Sequence, residues 1–296
     1  MSTSFNPADR VQPSEAVRES EEKQLSKGQS RASSGMSFRK SLKLEFFKIK
    51  NQGFWLVFLA TILVPTVWIL YTNRNIADTG RVVFETQVTC YYAVQDQMLS
   101  ILSIVLPVMA SVMISRLCDE EHKGDTWKLL RTSNQSIRSL WDAKFLIVYV
   151  CLELTVLIVF VCGLAQAWLQ TGIPVPVSTL ALNYIGISAA NIITLTIAQI
   201  LSVYFKNQII VLVEGLAGGL IGVLSSLMPS SLVPFLPWGY YTLNFLAGMQ
   251  MLEPGPAGNR WMYLNLTPNY TLILAVGLVF IGIGLFFRNK AADREL

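Results

Sequence analysis

Residues 145–205 read FLIVYVCLELTVLIVFVCGLAQAWLQTGIPVPVSTLALNYIGISAANIITLTIAQILSVYF, and Glu153 is the only charged side chain among them. A soluble core has no need of such a stretch. A bilayer does, because about 30 Å of hydrocarbon takes roughly 20 predominantly apolar helical residues to cross, and charge inside it is costly. Working outward, residues 207–252 hold one charge, Glu214, and residues 261–287 hold none. The charged side chains crowd elsewhere, with sixteen in residues 1–53 and eleven in residues 116–144. The 296-residue chain is 52% hydrophobic and only 14% charged, against about 25% charge in a soluble domain. Its mean hydropathy is +0.47. These features define a polytopic, all-α membrane protein.

Six apolar runs have the length to span: 54–72, 98–115, 145–168, 179–205, 209–228 and 268–287. Pro65 and Pro107 fall inside the first two, where a membrane helix tolerates a kink if neighbours satisfy the freed carbonyl. Lys and Arg set the orientation. Assigned to alternate sides, fifteen of those following Met36 lie on one side: Arg39, Lys40, Lys43, Lys48, Lys50, Arg116, Lys123, Lys128, Arg131, Arg138, Lys144, Lys206, Arg288, Lys290 and Arg294. Only Arg74, Arg81 and Arg260 lie on the other. The first side is read as cytoplasmic. Both termini then lie inside, which requires an even number of spans and hence a real turn at Lys206–Gln208.

Residues 1–35 carry five basic and five acidic side chains with few large apolar ones, so they read as a disordered cytoplasmic segment. No apolar stretch follows a basic start as in a signal peptide, and Met36 is an alternative start. In residues 37–51, Phe38, Leu42, Phe46 and Ile49 recur at helical spacing among Arg39, Lys40, Lys43 and Lys50. That pattern predicts an amphipathic helix on the inner leaflet. The net charge of +4 is accounted for by topology-setting basic residues, so no nucleic-acid partner is expected. Cys90, Cys118, Cys151 and Cys162 have no metal-type spacing, and no metal or cofactor is expected on this chain.

Residues 116–144 read RLCDEEHKGDTWKLLRTSNQSIRSLWDAK. Asp125-Thr126 are suited to cap a short helix carrying Trp127, Leu129 and Leu130, which Ser133-Asn134 would end. Such a helix must bury its face against headgroups, its own chain or a partner. In order, Glu120-Glu121, Gly124, Thr126, Leu129-Leu130, Arg138 and Lys144 resemble the coupling loop of type-2 ABC transporter permeases. The resemblance covers residues 36–296. Trp127-Lys128-Leu129-Leu130 and the closing Trp141-x-x-Lys144 are most similar to the lantibiotic-protection branch, itself similar to bacitracin-resistance permeases. Where the family usually has a proline, this chain reads Thr132-Ser133-Asn134-Gln135.

The resemblance implies a non-enzymatic permease subunit in a bacterial plasma membrane. An elbow helix would precede its first span, a coupling helix would lie between spans two and three, and short re-entrant or interfacial helices would follow span five. Two copies of a separate ABC ATPase, binding ATP and Mg, would dock on Glu121, Gly124, Thr126, Trp127, Leu129, Leu130 and Arg131. The chain agrees in lacking a G-x-x-x-x-G-K-[ST] phosphate loop. A second permease subunit, identical or related, and surrounding membrane lipid complete the expected assembly. An amphipathic antimicrobial peptide is the implied substrate.

Residues 229–267 contain five prolines together with Phe235, Trp238, Tyr240, Tyr241, Phe245, Trp261 and Tyr263. Aromatics at this density suit a membrane interface. Phe235, Trp238, Tyr240 and Tyr241 are read either as outer-mouth contacts for a substrate or as a belt sealing that mouth. The intramembrane Glu153 and Glu214 both fall in the inner half of the bilayer. With partners such as Asn191 or Gln199, they are read as gating or packing elements, or as polar features of the path. Gly215, Gly218, Gly219 and Gly222 form two small-xxx-small pairs, which predict a close helix contact, one version being a dimer seam.

An intramembrane protease fails on its residues, because the only histidine is His122 in the loop and the apolar runs contain no Asp. No internal repeat supports a secondary transporter. A membrane sensor would carry a large extracellular domain, which the chain lacks. Export of a lipid, drug or ion on the same scaffold stays open beside the peptide.

Overall fold

The computed structural model describes residues 38–49, 53–74, 82–123, 137–255 and 258–293. Helix α1 (Phe38–Ile49) precedes six long helices: α2 (Phe54–Thr72), α3 (Thr89–Lys123), α4 (Ile137–Thr171), α5 (Val177–Tyr204), α6 (Ile209–Leu224) and α7 (Tyr270–Asp293). All six are long and apolar enough to cross a membrane, α6 together with the 3-10 turn η1 (Ser225–Leu227) that prolongs it. The protein is a multi-pass, all-α membrane protein. The N-terminal segment 1–35 lies outside the described residues.

Backbone chemistry explains the breaks. Gly53, at φ +66°, separates α1 from α2, and Gly172, also at +66°, ends α4; this left-handed conformation suits glycine. Pro174 and Pro176 keep α4 from resuming. The turn at 206–208 is held by Gln208, whose Nε2 donates to the Ser202 and Phe205 carbonyls at 3.2 and 3.0 Å. It is the turn that six spans require.

Helices α3 and α4 overrun their apolar runs at both ends, because a helix packed on neighbours has no reason to stop where hydrocarbon stops. Asp96 lies in α3, just outside the 98–115 run, is buried, and accepts the N–H groups of Leu246 and Ala247 at 2.9 and 2.7 Å. It anchors the chain leaving the fifth span.

Helices α3 and α5 form the centre, with 67% of their most apolar windows buried within the protein. Helices α2 and α7 bury 22% and 11%, which leaves their apolar surfaces to lipid or another subunit. Met98, Leu102 and Leu106 of α3, Val148 and Leu152 of α4, and Ile187 and Ile193 of α5 belong to the core.

The glycine stripe works within the chain, which gives the close contact a different partner from a dimer seam. A Cβ at Gly215 would lie 2.9 Å from the Pro107 carbonyl oxygen, one at Gly219 2.8 Å from that of Ile104, and one at Gly222 2.8 Å from that of Ser103. Bare glycines therefore let α6 lie against the backbone of α3. Ser103 is four residues before Pro107, so the carbonyl freed by that proline faces the place where Gly222 has no side chain.

Beyond η1, the turns η2 (Val233–Phe235) and η3 (Pro237–Asn244) fold back onto α3, α5 and α6. They supply the short helices expected after span five. The sequence reading missed a small sheet of order β1-β3-β2, made by β1 (Val82–Phe84), β2 (Ala247–Gly255) and β3 (Gly258–Asn265). β1 pairs with β3 in parallel, and β2 pairs with it antiparallel. Helix α1 holds the place expected of the amphipathic helix before the first span. It buries Ser41, Glu45 and Ile49, while Leu44, Phe46 and Phe47 are exposed. The reason is the ion cluster described next.

Candidate coupling and translocation site

Two polar assemblies stand out in a chain with so few charges. The first joins α1 to the end of α3 and the start of α4, on either side of residues 124–136. Lys144 Nζ of α4 donates to Glu45 Oε2 of α1 at 2.8 Å, to Glu121 Oε2 of α3 at 2.9 Å, and to the Leu117 carbonyl. Lys48 Nζ donates to Glu45 Oε1 at 2.7 Å and Glu121 Oε1 at 2.9 Å. Each carboxylate thus gives one oxygen to each ammonium. Glu45, Glu121 and Lys144 are all 1% exposed. A buried charge survives only when compensated this fully. Burial alone would lower the Lys48 pKa, but Glu121 and Glu45 outweigh it and hold its ammonium above the ordinary value of 10.5. Its stabilising contribution is therefore complete below that pH and fades only as pH rises through the elevated value, so this lysine does not titrate near neutrality.

The second assembly lies within the spans. Glu153 of α4 accepts from Ser188 Oγ at 2.8 Å and Asn191 Nδ2 at 2.9 Å, both on α5. Asn191 Oδ1 in turn accepts from the Tyr241 hydroxyl of η3 at 2.8 Å. Glu214 of α6 accepts from Ser111 Oγ of α3 at 2.8 Å and Trp238 Nε1 of η3 at 3.3 Å. A single re-entrant segment therefore touches both carboxylate sites, directly at Glu214 and through Asn191 at Glu153. Gly218 admits the Trp238 ring, because any Cβ there would overlap it.

These placements revise several expected roles. Asn191 joins Glu153, whereas Gln199 donates to the Trp141 carbonyl at 2.9 Å. Glu121 is buried in the tetrad, so it cannot serve as a surface contact for an ATPase. Gly124, Thr126, Trp127, Leu129, Leu130 and Arg131 lie outside the described residues. Of the outer-mouth residues, Tyr240 and Tyr241 are 2% and 0% exposed, which removes both from the surface, while the half-buried Trp238 points its indole N–H at Glu214. Their hydroxyl and indole donors find partners inside the bundle: Tyr240 donates to the Pro234 carbonyl at 3.0 Å. Phe235 stays at the surface, 81% exposed, and Leu227 and Leu232 are exposed as well.

Lys144, Glu45, Lys48, Ser111 and Ser188 were absent from the sequence-derived site. The signal for Glu45 was its position as the lone acid in a basic helix, three residues before Lys48.

Six spans, an amphipathic helix docked at the root of a charged loop, and a buried polar line through the bundle describe the membrane half of a transporter. A family model described as ABC-2 family transporter protein matches residues 41–222, more than half of the chain. The chain belongs to this family. It is a membrane permease, and membership implies an ABC ATPase subunit as partner. No curated protein matches the chain.

Proposed function

We propose that the chain is the permease of an ATP-driven exporter that removes an amphipathic, lantibiotic-like antimicrobial peptide from the outer leaflet of a bacterial plasma membrane. It acts with two ATPase copies and a second permease subunit, identical or related, and both its termini are cytoplasmic. The observation that carries the reading is the buried tetrad. Its ion pairs tie α1, the end of α3 and the start of α4 together where the coupling loop begins and ends. ATP hydrolysis in the partner supplies the motion, and this chain's residues transmit it. Displacement of loop 124–136 moves α3 and α4 as one body. Those helices carry Ser111 and Glu153, so the motion reaches both intramembrane carboxylates, with η3 as their common contact. The exposed Leu227, Leu232 and Phe235 offer apolar contacts for an amphipathic substrate.

The test is expression with the cognate ATPase in a sensitive host, scored against a panel of antimicrobial peptides, lipids and drugs. Protection against an amphipathic peptide is expected. Protection confined to a lipid or drug would replace the substrate assignment. In the same host, Glu153→Gln introduces an amide where two donors converge, leaving one pair donor against donor. Assembly with the ATPase should persist while protection falls roughly tenfold, the scale of one hydrogen bond to a charged group. Unchanged protection would contradict a coupling role for Glu153.

A further inference from the structure

The last turn of α3 faces two ways. Glu121 closes the tetrad with α1 and α4. His122, the only histidine in the chain, is the next residue, about 100° further round the helix, and it meets the end of α5. His122 Nε2 lies 2.9 Å from the Ser202 carbonyl oxygen. A carbonyl can only accept, so the ring carries a proton on Nε2 and donates it. Neither polar assembly uses this contact.

The acceptor is one that needs partners. Ser202 lies in the last turn of α5, where carbonyls have no N–H of their own helix to accept from. Gln208 Nε2 reaches the same oxygen at 3.2 Å, and Gln208 Oε1 accepts from Ser202 Oγ at 2.9 Å. Gln208 immediately precedes α6 and stands six residues before Glu214. The Ser202 carbonyl is therefore shared between α3, through His122, and the turn that starts α6, through Gln208. Further along, Gly215, Gly219 and Gly222 set α6 against the backbone of α3, so α3 holds α6 at two levels.

We infer that His122 is a positioning residue for coupling: through the Ser202 carbonyl it makes the turn between α5 and α6 follow the inner end of α3, and α6 with its Glu214 joins the moving body. The inference rests on the proposed reading of residues 124–136 as the coupling element. It adds a second route to that reading. The tetrad carries motion from the end of α3 to α4, whereas His122 carries it to α5 and α6. Two adjacent side chains thus engage opposite parts of the bundle.

His122→Leu removes the donor but keeps comparable bulk, and His122→Gln returns an N–H donor at similar reach. The tie is read from dipolar broadening between spin labels on Lys123→Cys and Lys206→Cys, both exposed positions, with the half-buried Cys162 changed to Ser. In the full permease bound to its ATPase, broadening should be equal in wild type and His122→Gln, with or without ATP, and weaker in His122→Leu. The maximal rate of peptide-stimulated ATP hydrolysis should fall roughly fivefold in His122→Leu, the scale of one neutral hydrogen bond. The peptide concentration for half-maximal stimulation should not change, and His122→Gln should recover most of the rate. Should His122→Leu fail to accumulate, Gln208→Met, which leaves α3 untouched, should weaken the broadening in the same way. Wild-type broadening in His122→Leu or Gln208→Met, wild-type broadening that changes with ATP, or full stimulation in His122→Leu would each overturn the inference. A wild type that gives no stimulation at all would count against the proposed function instead, and the label measurement would still decide the role of His122.

Discussion

Lys144→Met is expected to lower the thermal transition of the purified permease by roughly 10 °C or abolish its accumulation, the largest effect of any single substitution outside the spans' glycines. Methionine approximates the lysine stem but leaves Glu45 and Glu121 buried with only Lys48 between them. Breaking a buried ion pair by removing one partner costs about 3–5 kcal/mol, mainly because the remaining charge is uncompensated. Adding Glu121→Gln to Lys144→Met restores neutrality, since Lys48 and Glu45 remain as a pair. The double variant should recover most of the loss. A wild-type transition in Lys144→Met would show that the tetrad does not hold the loop roots together. No recovery in the double variant would mean that the loss reflects Lys144 packing alone.

Trp238 carries the second large effect. Truncation to Ala removes a ring seated against Gly218 and should cost about 3 kcal/mol or more in lost packing. Trp238→Phe separates packing from polarity. It fills most of the same groove but cannot donate to Glu214. Stability should stay close to wild type, while ATPase stimulation by the permease falls with no change in the substrate concentration needed for half-maximal stimulation. A shift in that concentration alone, at full maximal rate, would return Trp238 to the outer mouth as a substrate contact. The expectation of an internal role follows from its 3.3 Å bond to a carboxylate inside the span.

Much of the bundle was legible because hydrocarbon imposes a length and a composition. The run 54–72 coincides with α2, and the short polar break at 206–208 was readable as a turn because topology demanded one. The partnership of Glu153 with Asn191 was also readable, since few polar groups exist in those spans to satisfy a carboxylate. The tetrad was not. Only Glu45 and Lys48 are neighbours, three residues apart; Lys144 lies 23 and 99 residues from its two carboxylates, and no local period relates those. Trp238 and Tyr241 were misplaced because an aromatic residue in a proline-rich segment has the same composition whether it lies at an interface or folds inward. The sheet had a signal that aromatic density obscured: Pro254-Gly255-Pro256-Ala257-Gly258 between two extended apolar runs is hairpin chemistry.

Under the proposed function, the tetrad and the intramembrane line act together: force applied at residues 124–136 would reach Glu153 and Glu214. The most direct measurement is ATP hydrolysis by the cognate ATPase co-reconstituted with this permease, with and without peptide substrate. Wild type should stimulate hydrolysis when peptide is present. Trp127→Ala should keep the subunits together yet remove the stimulation. Full stimulation in Trp127→Ala would contradict the assignment of this loop as the coupling element.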